Sequence, residues 1–123
     1  MIIGIGTDII EIDRVKKAVD RNPRFLEKMF TKQEIEFFKS RKLKAETIAG
    51  SFAVKEAVSK ALGTGIRGFA FNDIEVLRND LGKPLVFLSE KILNYLNIKE
   101  VRIHATISHN LDTAVAFVVI EEA

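Results

Sequence analysis

The residues best equipped for chemistry in this chain cluster between Phe52 and Gly65. Glu56 and Lys60 stand four apart with the acid first, a spacing that puts their Cβ atoms about 5–6 Å apart on one face of a helix. Turned at 100° per residue, the same face carries Ala45, Ala49, Phe52 and Gly63, while Val54, Val58 and Ala61 fall opposite. An ordinary surface pair at this spacing is worth only ~0.2–0.5 kcal/mol. Against that plain reading stand the small, apolar stripe, on which an unpaired charge is costly, and the direct run of the helix into Gly63-Thr64-Gly65, whose amides can bind phosphate oxygens. Residues 63–68 spell GxGxxG, but behind a helix instead of a strand. The segment is therefore a C-cap and loop, or a phosphate-contacting loop, and not a dinucleotide fingerprint.

Asp8 lies in an isoleucine-rich strand after Gly6-Thr7. A buried acid needs a partner, and three readings are open: a turn-forming acid, a salt bridge, or a metal ligand. Together with Glu56 it would make a magnesium site, since Mg²⁺ is held by one or two carboxylates with waters and substrate phosphates completing the octahedron. His104 and His109 are five apart on one strand and so point to opposite faces. They make no metal pair, although His109, beside Ser108, can donate to a phosphate. No nucleophile elbow or P-loop is present, and the absence of cysteine excludes disulfides and thiolate metal sites.

The elements that must position these groups can be read in order. Isoleucines at 2, 3, 5, 9, 10 and 12 predict a buried strand. Asp13 is placed to cap a helix Arg14–Arg21, stopped by Asn22-Pro23. Thr31-Lys32-Gln33-Glu34 is a capping box that opens a second helix. The third and longest runs from about Lys44 to Leu62 with Gly63 as its C-cap. Ile74–Arg78 and Leu85–Leu88 form a hairpin around the turn at 79–84, Ser89 caps a short helix to Leu96, and Val101–Ser108 pairs with Ala114–Glu121. Helices early and strands late indicate an α+β fold, an antiparallel β-sheet packed against a long central helix. The 123 residues suit a single domain, 1–123, with enough apolar side chains (47%) for a core.

Charge is unevenly spread. The chain carries +2 overall, yet residues 14–44 hold eleven basic and four acidic side chains, a local +7 that would attract an anionic partner. No apolar run is long enough to span a membrane, and the N-terminal run meets Asp8 too early for a signal peptide. The expectation is a soluble, cytoplasmic protein with no membrane partner.

Three segments carry a family resemblance: Gly4-Ile5-Gly6-Thr7-Asp8-Ile9 with Glu11, Asp13 and Arg14 behind it; Phe52 through Gly65; and Gly82-Lys83-Pro84 with Thr106-Ile107-Ser108-His109. In this order and spacing the chain resembles the short bacterial class of 4′-phosphopantetheinyl transferases, the holo-acyl-carrier-protein synthases, along essentially its whole length. The resemblance implies a homotrimer with active sites at subunit boundaries, Mg²⁺ on Asp8 and Glu56, and Lys60 serving the transferring phosphate. It implies coenzyme A along Gly63, Thr64, Gly65, Lys83, Pro84, Ser108 and His109. It also implies an acidic acyl carrier protein docked on a basic helix bearing Arg14, Arg21 and Arg24, with Phe25 and Met29 as apolar contacts. One position departs from the pattern: the family often has Arg, associated with coenzyme A phosphates, where this chain has Ser51, and Lys42, Lys44 or Arg67 would have to substitute.

The chemistry so implied is attack of a carrier serine hydroxyl on the pantetheine-side phosphorus of coenzyme A, with 3′,5′-ADP leaving, in support of fatty acid biosynthesis. Glu56, Asp8 or a metal-bound water is the base, and Lys60 assists the leaving phosphate. Two other readings compete. A nucleic-acid-binding module would use the basic 14–44 stretch, but it leaves the acid pair unexplained and has few stacking aromatics. Another metal-dependent pyrophosphate-cleaving enzyme would share the metal logic without needing a docking helix.

Overall fold

The computed structural model describes residues 1–123. Strand β1 (Ile2–Glu11) leads into helix α1 (Ile12–Arg21), the short α2 (Phe25–Met29), α3 (Lys32–Ser40) and the 18-residue α4 (Ala45–Leu62). A 3₁₀ turn at Phe71–Asp73 precedes β2 (Ile74–Arg78), β3 (Pro84–Leu88), α5 (Glu90–Leu96), β4 (Val101–His109) and β5 (Thr113–Glu122). The strands form two antiparallel sheets, not the one expected: β1-β5-β4, and the hairpin β2-β3. The fold is α+β as read from the sequence.

Helix α4 is apolar on two sides because it is shared by two cores. Ala53, Val54, Ala57, Val58 and Ala61 pack with Ala116, Val118 and Ile120 of β5, Ile74 and Val76 of β2, and Ile92 of α5. Its N-terminal half, through Ile48 and Ala49, meets Ile12 and Val15 of α1 and the edge-to-face pair Phe30–Phe38, whose centroids are 4.8 Å apart. Gly63 ends the helix in the left-handed region at φ 76°, the conformation that suits glycine at this position.

The capping box at the start of α3 forms as read: Thr31 Oγ1 accepts from the Glu34 amide, and Glu34 Oε1 accepts from the Thr31 amide. Asp13 does not cap α1. It lies inside the first turn, because the helix begins at Ile12, two residues earlier than expected, and it pairs with Lys17 at 2.9 Å. Strand β1 was expected to be buried and is instead an edge strand with two unlike faces. Ile5 and Ile9 point outward, 62% and 66% exposed. Gly4, Gly6 and Asp8 face α4, so close to it that a Cβ on Gly4 or Gly6 would run into the backbone carbonyls of Ala61 and Ala57. The glycines therefore let β1 lie directly on the helix backbone.

Candidate functional site

That close approach brings Asp8 over the Glu56–Lys60 face of α4. Lys60 Nζ donates to the Thr7 carbonyl at 3.0 Å and to Asp8 Oδ1 at 3.3 Å. The Asp8 side chain is 16% exposed and Lys60 55%, so the ammonium is not buried on the stripe as its position on the helix suggested. It reaches out past β1 to solvent, as long lysine stems do. Thr7 Oγ1 donates to the Ala116 carbonyl at 3.0 Å and so ties this part of β1 to β5. Glu56 is half-buried. Burial pushes its carboxyl above the usual range, the negative charge of Asp8 pushes it the same way, and Lys60 only partly opposes them.

Asp8 and Glu56 both line a cavity of about 420 Å³ walled by Ile9, Ile10, Phe25 and Phe52, with Arg14 beside them. Two carboxylates that repel each other across an apolar-walled opening fit a divalent cation that neutralises both. No third His, Cys, Asp or Glu joins them.

One residue before Glu56, Lys55 is fully buried, and reading the sequence missed its role. Its ammonium donates to Glu34 Oε1 at 2.7 Å and to the carbonyls of Met29, Phe71 and Ile74 at 2.9, 3.0 and 2.6 Å. Glu34 also accepts the Val76 amide at 2.9 Å. Burial pushes the Glu34 carboxyl up and the Lys55 ammonium down, each opposed by the charge of the other. The signal available in the sequence was that a helix buried on two sides must also bury whatever charge lies between them.

A second cavity, of about 510 Å³, is lined by Arg41, Lys42, Lys44, Arg78 and His109, with Gly82 at the hairpin turn and Glu46 as its one acid. Ser51 is completely buried beneath it, and the guanidinium next to Ser51 is that of Arg78, whose Nη2 donates to Ser51 Oγ at 3.3 Å. Lys42 and Lys44 line this cavity as well, whereas Arg67 does not.

The residues expected to dock a carrier divide between two elements. Arg14 lies on α1 and Arg21 at its end, but Arg24 sits past the helix as the N-cap of α2. The expected single basic helix is thus two short ones joined at Asn22-Pro23. Phe25 packs on Phe52 with centroids 6.3 Å apart, and Met29 is half-buried at the end of α2. Gly63, Thr64 and Gly65 form the loop after α4 and line neither cavity. Lys83 and Pro84 close the β2–β3 turn, where Asn79 Oδ1 accepts the Lys83 amide, and Ser108 is exposed near the end of β4.

Residues 4–118 match the model of the 4′-phosphopantetheinyl transferase superfamily. The chain is 58% identical over 126 residues to a holo-[acyl-carrier-protein] synthase of Clostridium perfringens, covering 98% of this chain and 95% of that one. It is 56% identical over 121 residues to that of Clostridium beijerinckii, covering 98% of each. A crystal structure of the Bacillus anthracis holo-(acyl-carrier-protein) synthase in complex with CoA (3′,5′-ADP) superposes with a TM-score of 0.84 at 43% identity, over 100% of this chain and 99% of that one.

Proposed function

This chain belongs to the 4′-phosphopantetheinyl transferase superfamily, among its holo-[acyl-carrier-protein] synthases, and from that premise we propose that it moves 4′-phosphopantetheine from coenzyme A to a serine of an acidic acyl carrier protein, releasing 3′,5′-ADP. The observation that carries the proposal is the meeting of Asp8 and Glu56 in one cavity, with Lys60 hydrogen-bonded to Asp8 beside it, from two elements whose backbones touch.

Asp8 and Glu56 hold Mg²⁺ in this reading, and the ion, when bound, supplies Lewis-acid neutralisation of the pyrophosphate charge. Glu56 takes the proton of the carrier serine directly or through a water in this reading. Lys60, extended past β1 with hydrogen bonds to Thr7 and Asp8, turns its free donor capacity toward the leaving phosphate. Positioning and charge stabilisation supply most of the acceleration in such phosphoryl chemistry. Arg14 at the cavity rim, with Arg21, Arg24, Phe25 and Met29, receives the acidic carrier and sets encounter rate and specificity. Coenzyme A lies toward the Gly63–Gly65 loop, Lys83-Pro84 and Ser108-His109. The whole chain works as one transferase domain, in the cytoplasm and without nucleic acid. A homotrimer fits the outward face of β1 and β5, where Ile5, Ile9 and Phe117 stand exposed.

Incubation with apo acyl carrier protein, coenzyme A and Mg²⁺, read by mass spectrometry, tests the proposal. A gain of one phosphopantetheine on the carrier is expected. An unmodified carrier with an active control transferase in the parallel tube would refute it.

A further inference from the structure

Arg78 is the most conspicuous unspent polar group in the molecule. Its Nε is buried and has no hydrogen-bond partner, the only such side-chain atom in the chain. Its single hydrogen bond, to Ser51, is a long one. It takes part in none of the five ion pairs. A guanidinium carries five donors in a fixed fork, so most of this fork is unused. The group is held in place by packing: Arg78 lies 5.5 Å from the centroid of the Phe37 ring, and Arg41 lies 5.4 Å from the same ring. Two guanidinium groups thus share one aromatic ring with no carboxylate paired to either. Burial, and then the charge of Arg41, both push Arg78 below its ordinary pKa, the mark of a cation lacking a counter-charge.

The backbone around this cavity is arranged at some cost. Helix α3 closes with the Leu43 amide on the Phe38 carbonyl and the Lys42 amide on the Lys39 carbonyl, a Schellman ending. The left-handed position that glycine usually takes there is held by Lys42 at φ 60°, and Leu43 follows at φ 53°. Each such non-glycine residue costs about 1–2 kcal/mol. The consequence is a turn that sets Arg41, Lys42 and Lys44 around the opening. The first turn of α4 also begins here, at the N-cap Lys44, with no side chain capping its amides. A helix N-terminus left open inside a ring of cations attracts an anion.

The cavity is separate from the carboxylate pair. The two share no lining residue, and Thr47 and Glu56, which each line one of them, are nine residues apart along α4, about 13 Å at 1.5 Å per residue. We propose that Arg78, seated between Phe37 and the small Ser51, is a specificity residue that binds the non-reacting phosphate monoester of the nucleotide donor, together with Arg41, Lys42, Lys44 and His109. Ser51 makes this possible by leaving room for a guanidinium that arrives from β2 instead of from α4. A planar fork pairs two donors with two phosphate oxygens, which an ammonium cannot do. The proposal rests on coenzyme A being the donor, and it names the residue through which the 3′-phosphate is read.

Isothermal titration with coenzyme A and with dephospho-coenzyme A, which lacks that phosphate, provides the test. Unmodified protein is expected to bind coenzyme A at least tenfold tighter than the dephospho form. In Arg78→Gln, coenzyme A is expected to weaken about 10- to 30-fold while dephospho-coenzyme A stays within about twofold, so the two affinities converge. Arg78→Lys, which keeps the charge and guards against misfolding of the Gln variant, should recover less than half of the lost preference. Equal weakening of both ligands, or no change in either, overturns the assignment. Carrier modification by the unmodified protein is scored separately: its absence would defeat the transferase reading, while the titration still reports on Arg78.

Discussion

Helix α4 carries two lysines five residues apart, and each meets a carboxylate brought by another element. Lys55 meets Glu34 where neither side chain is exposed at all, and three carbonyls complete the coordination of its ammonium. Lys60 meets Asp8 across a longer 3.3 Å contact at the surface, with one carbonyl in support. The buried pair has no capacity left over. It joins the ends of α2 and the 3₁₀ turn, the start of α3 and strand β2 to the helix, and its worth is structural. The exposed pair is unsaturated and sits beside a second acid, Glu56, that Asp8 repels. Two lysine–carboxylate pairings on one helix thus differ in how many partners surround them, one saturated and one with donors to spare.

The strongest way to break this contrast is to neutralise each lysine in turn. Lys55→Met should cost about 3–5 kcal/mol, because it strands Glu34 as a buried, uncompensated charge. Lys60→Met should cost about 1 kcal/mol or less, as an exposed pair does. Urea unfolding of the two purified variants checks both, and comparable losses would erase the distinction.

Activity should divide the other way. Asp8→Asn and Glu56→Gln are expected to lower transfer about 100- to 1,000-fold, some 3–4 kcal/mol of barrier, with unfolding free energy within about 1 kcal/mol of the parent. Transfer assays in controlled Mg²⁺ beside denaturation curves test this. Retained activity in either variant would remove the acid pair from the chemistry.

A smaller effect belongs to the rim. Arg14→Glu is expected to raise the KM for carrier protein about tenfold, roughly 1.4 kcal/mol, and to leave the KM for coenzyme A unchanged. A parallel rise in both would place Arg14 in the donor site.

The finest test is a titration. In metal-free protein the Glu56 carboxyl should lose its proton above the usual range for glutamate, so it remains partly protonated at a mildly acidic pH where an exposed glutamate is ionised. Asp8→Asn removes the repelling charge and should shift that titration to lower pH, leaving burial opposed by the charge of Lys60. Carbon-detected NMR of the side-chain carboxyls reads both positions, and an Asp8→Asn titration that does not move would mean the two acids do not interact.

Much of this was legible in the sequence, for reasons tied to particular residues. Local rules carried the capping box at Thr31, the end of α4 at Gly63, the β2–β3 hairpin and the closing pair of strands, because each depends on neighbours within a few positions. The Glu56–Lys60 spacing was readable for the same reason. What escaped was set by partners far along the chain. Glu34 was read as a capping residue, which occupies only one of its oxygens; the other reaches Val76, 42 residues on. Ser51 posed a question, and Arg78, 27 residues away on a strand of the hairpin, now occupies its surroundings. The isoleucine run of β1 implied burial, yet Ile5 and Ile9 face outward because side chains alternate along the strand and α4 covers only the other face.

Gly4 and Gly6 leave nothing but main chain between β1 and α4. The gap between Asp8 and Glu56 is therefore ruled by peptide geometry, and the aliphatic packing around it can be exchanged without resetting it. A single methyl on either glycine has nowhere to go and would lever the strand off the helix, carrying Asp8 away from Glu56.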